Sequence, residues 1–341
     1  MNPARYLLAP WWLAQLATGA KSFRDNPLIG SRALNARGLH VKRVTLAHRI
    51  AAARRLRLSG LIDPADRAGF DRDGFVEKQD FLPPDVFARL RDGLFDRAWP
   101  AREMTQGDAI TRRIAIDPAM LALVPEARAL LADTRWGGLI RYAGSFDATP
   151  LVYVQSILSQ TRDAPPDPQT HLHADTFHPT VKAWLFLTDV AVEDGPFTYV
   201  PGSHRATPQR LAWEQQVALK APGGVDRLSA RGSLRIGVEE LPALGLAPPR
   251  AFVVPANTLV VGDTYGFHAR GPSLRPSTRV EIWAYGRRNP FLPWTGLDAL
   301  SLPGIAERTI PALWRTRDRL HDWGMMSQPW KDVGPKRPTE R

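Results

Sequence analysis

Residues 180–190 read TVKAWLFLTDV, a short apolar run rich in β-branched and aromatic residues, as is typical of a β-strand. Runs of the same kind recur from residue 151 to residue 285, with glycine or proline between them. They read LVYVQSIL at 151–158, PFTYVPG at 196–202, RAFVVPANTLVVGD at 250–263 and TRVEIWAY at 278–285. This succession of short strands predicts an antiparallel barrel or sandwich.

The composition excludes several kinds of site. The 341 residues are 44% hydrophobic and 23% charged, which is ordinary for a globular protein and sufficient for a large core. There is no cysteine, so disulfides, iron–sulfur clusters, thiolate zinc sites and cysteine nucleophiles are excluded. Any metal must be bound by histidine or carboxylate side chains. The absence of cystine fits a reducing compartment, and we expect a cytoplasmic protein.

The positive charge is confined to the first 60 residues. Of the net charge of +11, these residues supply eleven lysines and arginines against one acid, Asp25, whereas the rest of the chain is nearly neutral. No groove-reading motif or aromatic stacking platform accompanies the charges, so we expect no nucleic-acid partner. Residues 6–20 read YLLAPWWLAQLATGA. This apolar run is shorter than the ~20 residues that a helix needs to span a bilayer. Residues 41–58 predict a helix whose basic residues lie mostly off its apolar face. For the apolar run, contact with the inner face of a membrane and simple packing on the main domain are both open. For the basic residues of the helix, we expect a surface that faces either anionic lipid or solvent.

The chain divides into three parts by pattern. Residues 1–60 predict a basic helical extension, residues 61–300 a main domain, and residues 301–341 a proline-rich tail with one helix at 310–323. Within the main domain, residues 206–247 form an insertion, helical at first and then irregular. The domain begins with a short strand through Phe75 and Val76 and a helix that starts near Pro84.

A metal-binding pattern occurs at residues 169–180, QTHLHADTFHPT, where His171, His173 and Asp175 are two residues apart. On a strand, residues two apart share one face, so a histidine and a carboxylate can reach one cation. A histidine from a distant strand would complete a 2-His-1-carboxylate triad, which binds Fe(II) and leaves positions open. By itself H-x-D is a weak motif, because a structural histidine beside an aspartate is commoner.

The candidate for the histidine from a distant strand is His268, which follows a strand and a turn in ANTLVVGDTYGFHAR at 256–270. Eleven residues later, Arg279 opens the last strand-like run. Its guanidinium can pair with both oxygens of a carboxylate near the metal. 2-Oxoglutarate needs such a partner, because its 1-carboxylate and keto oxygen chelate iron while its distal carboxylate requires a cation.

Together these segments resemble the phytanoyl-CoA dioxygenase family. The resemblance covers roughly residues 71–287 and rests on HAD at 173–175, VKAWLFLTDV at 181–190, GPFTYVPGSHR at 195–205, HARGPS at 268–273 and Arg279. It implies a mainly β fold with flanking helices, a double-stranded β-helix (jelly roll). It also implies a dioxygenase that uses Fe(II), 2-oxoglutarate and O2.

The resemblance carries over to individual residues. By this resemblance, iron is bound by His173, Asp175 and His268, and the distal carboxylate of 2-oxoglutarate is bound by Arg279. Gln155 and Trp184 match co-substrate contacts of some members. Arg270 replaces a small hydroxyl residue that assists the same carboxylate in many members, so this guanidinium is expected to face co-substrate or substrate. The retained Asp175 argues against a halogenase, which has a small residue there, and hydroxylation is expected.

Other polar residues have less definite expectations. His171 is expected beside the ligands or at the substrate, His178 on the surface or lining the substrate site, and His204 in a structural turn. Lys182 shares strand parity with Trp184, although such a lysine more often extends outward to solvent. Glu281 and Tyr285 share parity with Arg279, as cavity residues or partners of that arginine.

The substrate is not written in these motifs. A small molecule is expected, and the basic, tryptophan-bearing N-terminal segment makes a lipid or lipid-linked substrate one option, with an acyl thioester also open. Two alternatives to the oxygenase are a non-catalytic jelly-roll binding protein and a cupin-type metalloenzyme that does not use 2-oxoglutarate. Arg279 disfavours the cupin-type enzyme, which has no distal carboxylate to bind.

Overall fold

The computed structural model describes residues 8–302 and 304–341, so part of the apolar run at 6–20 lies outside the described residues. The helices follow in chain order: α1 Ala9–Gln15, α2 Arg32–Ala36, α3 Leu39–Leu58, α4 Pro64–Asp73, α5 Pro84–Phe95, α6 Pro118–Leu123, α7 Pro125–Ala132, α8 Thr134–Gly144, α9 Pro208–Lys220, α10 Arg227–Ala230 and α11 Ala306–Asp322. Over this described part of the chain, no helix is both long and apolar enough to cross a bilayer.

The strands are equally spread along the chain: β1 Phe75–Lys78, β2 Trp99–Gln106, β3 Ala109–Ala115, β4 Leu151–Ser159, β5 Val181–Phe186, β6 Phe197–Tyr199, β7 Arg250–Ala251, β8 Leu259–Asp263, β9 His268–Arg270, β10 Ser277–Gly286 and β11 Lys331–Lys336. The strands predicted from the apolar runs are confirmed, as are the helices at α3, α5, α9 and α11.

Two antiparallel sheets face each other. The large sheet has the order β1-β8-β5-β10-β4-β3-β2-β11, and the small sheet has the order β7-β6-β9. Apart from the run β2-β3-β4, neighbouring strands in the sheets are distant in sequence, which is the crossing connectivity of a jelly roll. The predicted fold class, a jelly roll with flanking helices, is therefore confirmed.

Side-chain alternation assigns the two faces of the large sheet. In β5, Val181, Ala183 and Leu185 belong to the core beneath helices α4, α5, α7 and α8, while Trp184 and Phe186 face the small sheet. This period of two is the expected pleat of a strand buried on both faces. Lys182 has the parity of Trp184 and therefore points between the sheets.

Both chain ends pack against the sandwich. The last strand, β11, pairs with β2 and forms one edge of the large sheet. Ahead of it, Trp314 of α11 stacks on Tyr153 of β4, with ring centroids 6.1 Å apart. At the other end of the chain, α2 and α3 pack on α9, the helix of the insertion.

The prediction that the arginines of α3 form a solvated or lipid-facing surface is wrong for three of them. Arg43 and Arg54 are buried and Arg55 is half-buried. Arg54 donates to the backbone oxygens of Ser145, Pro290 and Leu292. Loop carbonyls that are buried away from water need donors, and a guanidinium supplies several from one side chain.

Replacing Arg54 with methionine is expected to lower the free energy of unfolding by about 3 kcal/mol, because several buried carbonyl oxygens lose their donor. Urea unfolding followed by circular dichroism measures this. Arg49→Met, an exposed position of the same helix, is the control and should change the value by less than about 0.5 kcal/mol. Equal effects of the two substitutions would contradict the assignment.

Candidate active site

A cavity of about 370 Å³ opens between the sheets. All seven predicted site residues line it: His173, Asp175, His268, Arg279, Gln155, Trp184 and Arg270. A wider cleft of about 600 Å³ lies beside α4 and α8 and contains none of them.

His173 and His268 are held side by side by backbone pairing. The two residues exchange backbone hydrogen bonds, with N···O distances of 2.9 and 3.0 Å, and their rings lie 4.5 Å apart. Residues 171–175 do not form the predicted regular strand, but alternation persists there: Leu172 and Ala174 are in the core, and His173 and Asp175 face the cavity.

Three donor atoms of His173, Asp175 and His268 lie within 4.8 Å of one another. The Nε2 atoms of the two histidines are 3.8 and 3.7 Å from Oδ1 of Asp175. Two imidazole nitrogens and one carboxylate oxygen on one side of a cavity suit Fe(II) with further positions open.

Each ring is oriented by a hydrogen bond at its other nitrogen. Nδ1 of His173 is 2.8 Å from the carbonyl oxygen of His171, and Nδ1 of His268 is 2.9 Å from that of Gly266. When Nδ1–H donates to a carbonyl, Nε2 keeps its lone pair for a metal. The main chain therefore selects the tautomer that can bind a metal through Nε2.

The ionisation states of the three residues also fit a cation. Burial lowers the pKa of His173 well below its ordinary value and lowers the pKa of His268 to about 4. Burial alone would raise the pKa of Asp175, but Lys182 and the two histidines outweigh it and keep that pKa well below its usual range. At neutral pH the site thus presents two neutral imidazoles and one carboxylate.

Lys182 points directly at these ligands. Its Nζ lies 2.7 Å from Oδ2 of Asp175 and 3.5 Å from Nε2 of His268. The outward orientation that is commoner for such a lysine is not adopted. Without a metal, this ammonium neutralises the carboxylate from inside the cavity.

Arg279 belongs to a row of polar side chains along the inner face of the large sheet. Its Nε donates to Glu281 at 2.9 Å, and another nitrogen donates to the carbonyl oxygen of Gly195. Glu281 accepts from Gln155 at 2.8 Å, and Gln155 in turn accepts from Arg113 at 3.0 Å. Every member of the row is hydrogen-bonded to a neighbour, which orients its side chain in the cavity wall.

Arg270 and Trp184 are fixed by other partners. Arg270 is 2.6 Å from Oδ2 of Asp167, so its charge is already neutralised. The Trp184 ring stacks on Phe197, with centroids 4.1 Å apart, and Phe197 in turn lies 6.0 Å from the His268 ring. This aromatic stack supports one ligand from behind.

The remaining histidines are not cavity residues. The His171 side chain is exposed, and only its carbonyl serves the site. Neither expectation for His178 is met, because it is buried against Phe177 and hydrogen-bonded to Pro179. His204 is buried against Phe70, consistent with the structural role that its turn predicts.

Sequence reasoning missed three cations of the cavity: Lys21, Arg113 and Arg287. Lys21 comes from the N-terminal segment, and its Nζ donates to the backbone oxygen of Asp175. Arg113 lies over the rings of Trp283 and Trp330, at 4.2 and 4.4 Å. The alternation of ITRRIA at 110–115 could have placed Arg113 inward, but nothing local marks Lys21 or Arg287.

A jelly roll that brings two histidines and one carboxylate into the space between its sheets has the architecture of a non-haem iron oxygenase. Residues 70–220 match the family model described as phytanoyl-CoA dioxygenase (PhyH), which confirms the resemblance. Over these residues the chain is similar to a family that uses Fe(II), 2-oxoglutarate and O2. His268 and Arg279 lie beyond the matched residues, so their assignment rests on the geometry.

Several solved structures are similar to this chain. The epimerase SnoN from nogalamycin biosynthesis, solved with Fe3+, α-ketoglutarate and nogalamycin RO, has 18% identity and a TM-score of 0.41 over 80% of this chain and 96% of its own. HygX from Streptomyces hygroscopicus, solved with nickel, 2-oxoglutarate and hygromycin B, has 17% identity and a TM-score of 0.40 over 66% and 87%. EctD from S. alaskensis, solved with Fe, has 16% identity and a TM-score of 0.35 over 66% and 76%. A comparison with curated proteins gives no match.

Proposed function

We propose that this protein hydroxylates an unactivated C–H bond of a small molecule, with conversion of 2-oxoglutarate to succinate and CO2. The observation that carries the proposal is the cluster of three donor atoms within 4.8 Å, which shares its cavity with a buried arginine, Arg279. The three ligands would hold iron with positions open for co-substrate and O2, and the retained carboxylate of Asp175 favours hydroxylation over halogenation.

The ligands in this proposal are His173, Asp175 and His268. When bound there, Fe(II) supplies the redox chemistry that activates O2. The chain itself orients the two rings through the carbonyl oxygens of His171 and Gly266 and keeps them neutral by burial. Little reorganisation is then needed when the metal binds.

Arg279 binds the distal carboxylate of 2-oxoglutarate. Two of its nitrogens are engaged by Glu281 and Gly195, which leaves the guanidinium fixed in direction with one nitrogen still able to donate. Gln155 and Trp184 form the adjoining wall. Arg270, whose charge is neutralised by Asp167, lines the cavity beside them.

The substrate side of the cavity is largely aromatic. Trp283 and Tyr285 of β10 stack with an interplanar angle of 5° and ring centroids 5.7 Å apart. Flat, apolar walls exclude water and position a C–H bond by contact rather than by hydrogen bonds. A lipid or lipid-linked substrate fits such walls. Trp11 and Leu13 of α1 are 62% and 63% exposed, which supports peripheral contact of a cytoplasmic protein with a membrane.

Succinate formation tests the proposed function. Wild-type protein with Fe(II), 2-oxoglutarate and air should release succinate slowly even without its substrate, as followed by proton NMR. His268→Ala should reduce the rate at least about 100-fold, because one of three ligands is lost. His321→Ala, an exposed histidine of α11, is the matched control and should behave as wild type. Equal succinate formation by all three proteins would contradict the assignment.

Replacing Lys182 with methionine is expected to tighten metal binding about tenfold. The ammonium lies 2.7 Å from the carboxylate that must bind iron, and like charges a few ångströms apart in a protein cost on the order of a few kcal/mol. Anaerobic calorimetric titration with Co(II) measures the affinity. Lys42→Met, at an exposed position of α3, should leave the affinity unchanged. Weaker binding by Lys182→Met would show that this lysine assists the metal site instead.

A further inference from the structure

The cavity contains more positive charge than the proposed co-substrate uses. Six basic residues line it: Lys21, Arg113, Lys182, Arg270, Arg279 and Arg287. Lys182, Arg270 and Arg279 are each paired with a carboxylate, at 2.7, 2.6 and 2.9 Å. Within the described residues, the other three have no carboxylate oxygen within 4.0 Å and donate only to neutral oxygens.

Binding of iron and 2-oxoglutarate does not neutralise this excess positive charge. The two charges of Fe(II) are balanced by the two carboxylates of 2-oxoglutarate. The charges of Lys21, Arg113 and Arg287 therefore remain when metal and co-substrate are bound. Unneutralised cations that converge on a cavity are costly to desolvate, and they favour an anionic ligand.

One of the three cations, Arg287, lies far from the co-substrate anchor. Arg279 and Arg287 are eight residues apart along β10 and its extension, a separation of roughly 26 Å at ~3.3 Å per residue. The metal ligands lie between these ends, because Lys182, which contacts Asp175, is paired in register with Tyr285. Co-substrate bound toward Arg279 therefore leaves the end near Arg287 for the substrate.

Lys21 and Arg287 are brought together by the N-terminal segment. Arg43 donates to the carbonyl oxygens of Leu16, Thr18 and Ala20, at 2.8 to 3.1 Å, and fixes the backbone that leads to Lys21. Arg287 donates to the carbonyl oxygen of Gly19 at 3.0 Å. Each cation uses only part of its donors in these contacts, so donors remain for a ligand.

We propose that the substrate carries a phosphate monoester, bound by Lys21 and Arg287 in the cavity. The proposal rests on the hydroxylase function above and adds the chemical class of its substrate. A phosphate monoester is a dianion with three acceptor oxygens, which matches one ammonium and one guanidinium. Tyr285 and Trp283, which line the same cavity, are the walls for the rest of the molecule. The phosphate belongs either to a free metabolite or to a lipid headgroup, and the exposed Trp11 of α1 makes the second source accessible.

Direct binding tests this proposal with the full-length protein, loaded anaerobically with Fe(II) and saturating 2-oxoglutarate so that the Arg279 end is occupied. The probes are ethyl phosphate, dodecyl phosphate, and phosphatidylcholine vesicles with or without phosphatidic acid. Calorimetry and tryptophan fluorescence report binding. Lys21→Gln and Arg287→Gln should each weaken phosphate binding about tenfold or more. Lys21→Arg, which keeps the charge, should restore most of it.

The controls separate this proposal from the hydroxylase function. Arg24→Gln and Lys42→Gln remove exposed charges nearby and should bind the probes as wild type does. The visible absorption of the iron–2-oxoglutarate chelate should persist in every variant. Selective binding of ethyl phosphate would indicate a free metabolite, and selective binding of phosphatidic acid vesicles a lipid. If the chelate forms but no phosphate probe binds, or if Lys21→Gln and Arg287→Gln bind the probes as tightly as wild type, the substrate class is wrong while the hydroxylase function stands.

Discussion

Replacement of Asp175 by asparagine is expected to raise the dissociation constant for Co(II) or Fe(II) at least about 100-fold. Loss of a hydrogen-bonding partner of a ligand already costs about 10- to 100-fold in affinity, so loss of the only carboxylate ligand should cost more. The effect is increased by Lys182, whose ammonium would then face the metal without a compensating carboxylate. Anaerobic calorimetry gives the constant.

Asp147→Asn is the matched control, because this aspartate forms an exposed ion pair with Arg141 and lies outside the cavity. It should bind Co(II) as wild type does. Wild-type affinity for Co(II) in Asp175→Asn would show that Asp175 is not a metal ligand. Weak binding in both variants would point to a general loss of folding, which circular dichroism reveals.

The second large effect is expected at Arg279. Arg279→Gln should raise the dissociation constant for 2-oxoglutarate about 100-fold without changing metal affinity, because truncation of one partner of a buried charge pair costs 2–5 kcal/mol or more. Arg279→Lys should be intermediate, since it keeps the charge but loses the planar fork. Anaerobic titration of the metal-loaded protein with 2-oxoglutarate measures both.

A buried neighbour complicates this prediction and also provides its control. Glu281 is fully buried and pairs with Arg279, so Arg279→Gln alone leaves an uncompensated carboxylate that repels 2-oxoglutarate. The double variant Arg279→Gln, Glu281→Gln removes that repulsion. If Arg279 binds the distal carboxylate, affinity stays low in the double variant. Recovery to the wild-type value would show that the loss came from Glu281 alone.

The strands and the clustering of His173, Asp175 and His268 in one cavity could be predicted from sequence because their signals are local or regularly spaced. Apolar runs between glycine and proline mark the strands, and H-x-D followed by His268 and Arg279 marks the metal and co-substrate ends. Strand parity correctly placed Lys182 on the side of Trp184. The expectation that such a lysine extends outward to solvent is wrong here. An inward lysine needs a partner that only the fold supplies, and that partner is Asp175.

Long-range contacts account for what the sequence could not predict. Nothing near Lys21 in sequence indicates that it would reach Asp175, 154 residues away. The arginines of α3 looked like a surface because their partners are carbonyl oxygens of distant loops, which leave no mark in a charge pattern. Carbonyl oxygens also orient the rings of His173 and His268, so the side chains of the residues that carry these oxygens matter little.

The central claim is that one cavity binds Fe(II) through His173, Asp175 and His268 and chelates 2-oxoglutarate on that metal. Anaerobic addition of 2-oxoglutarate to the Fe(II)-loaded wild-type protein tests it most directly. We expect a weak visible charge-transfer band that saturates with 2-oxoglutarate in wild-type protein and is absent in His173→Ala. No band in folded, metal-loaded wild-type protein would contradict the account.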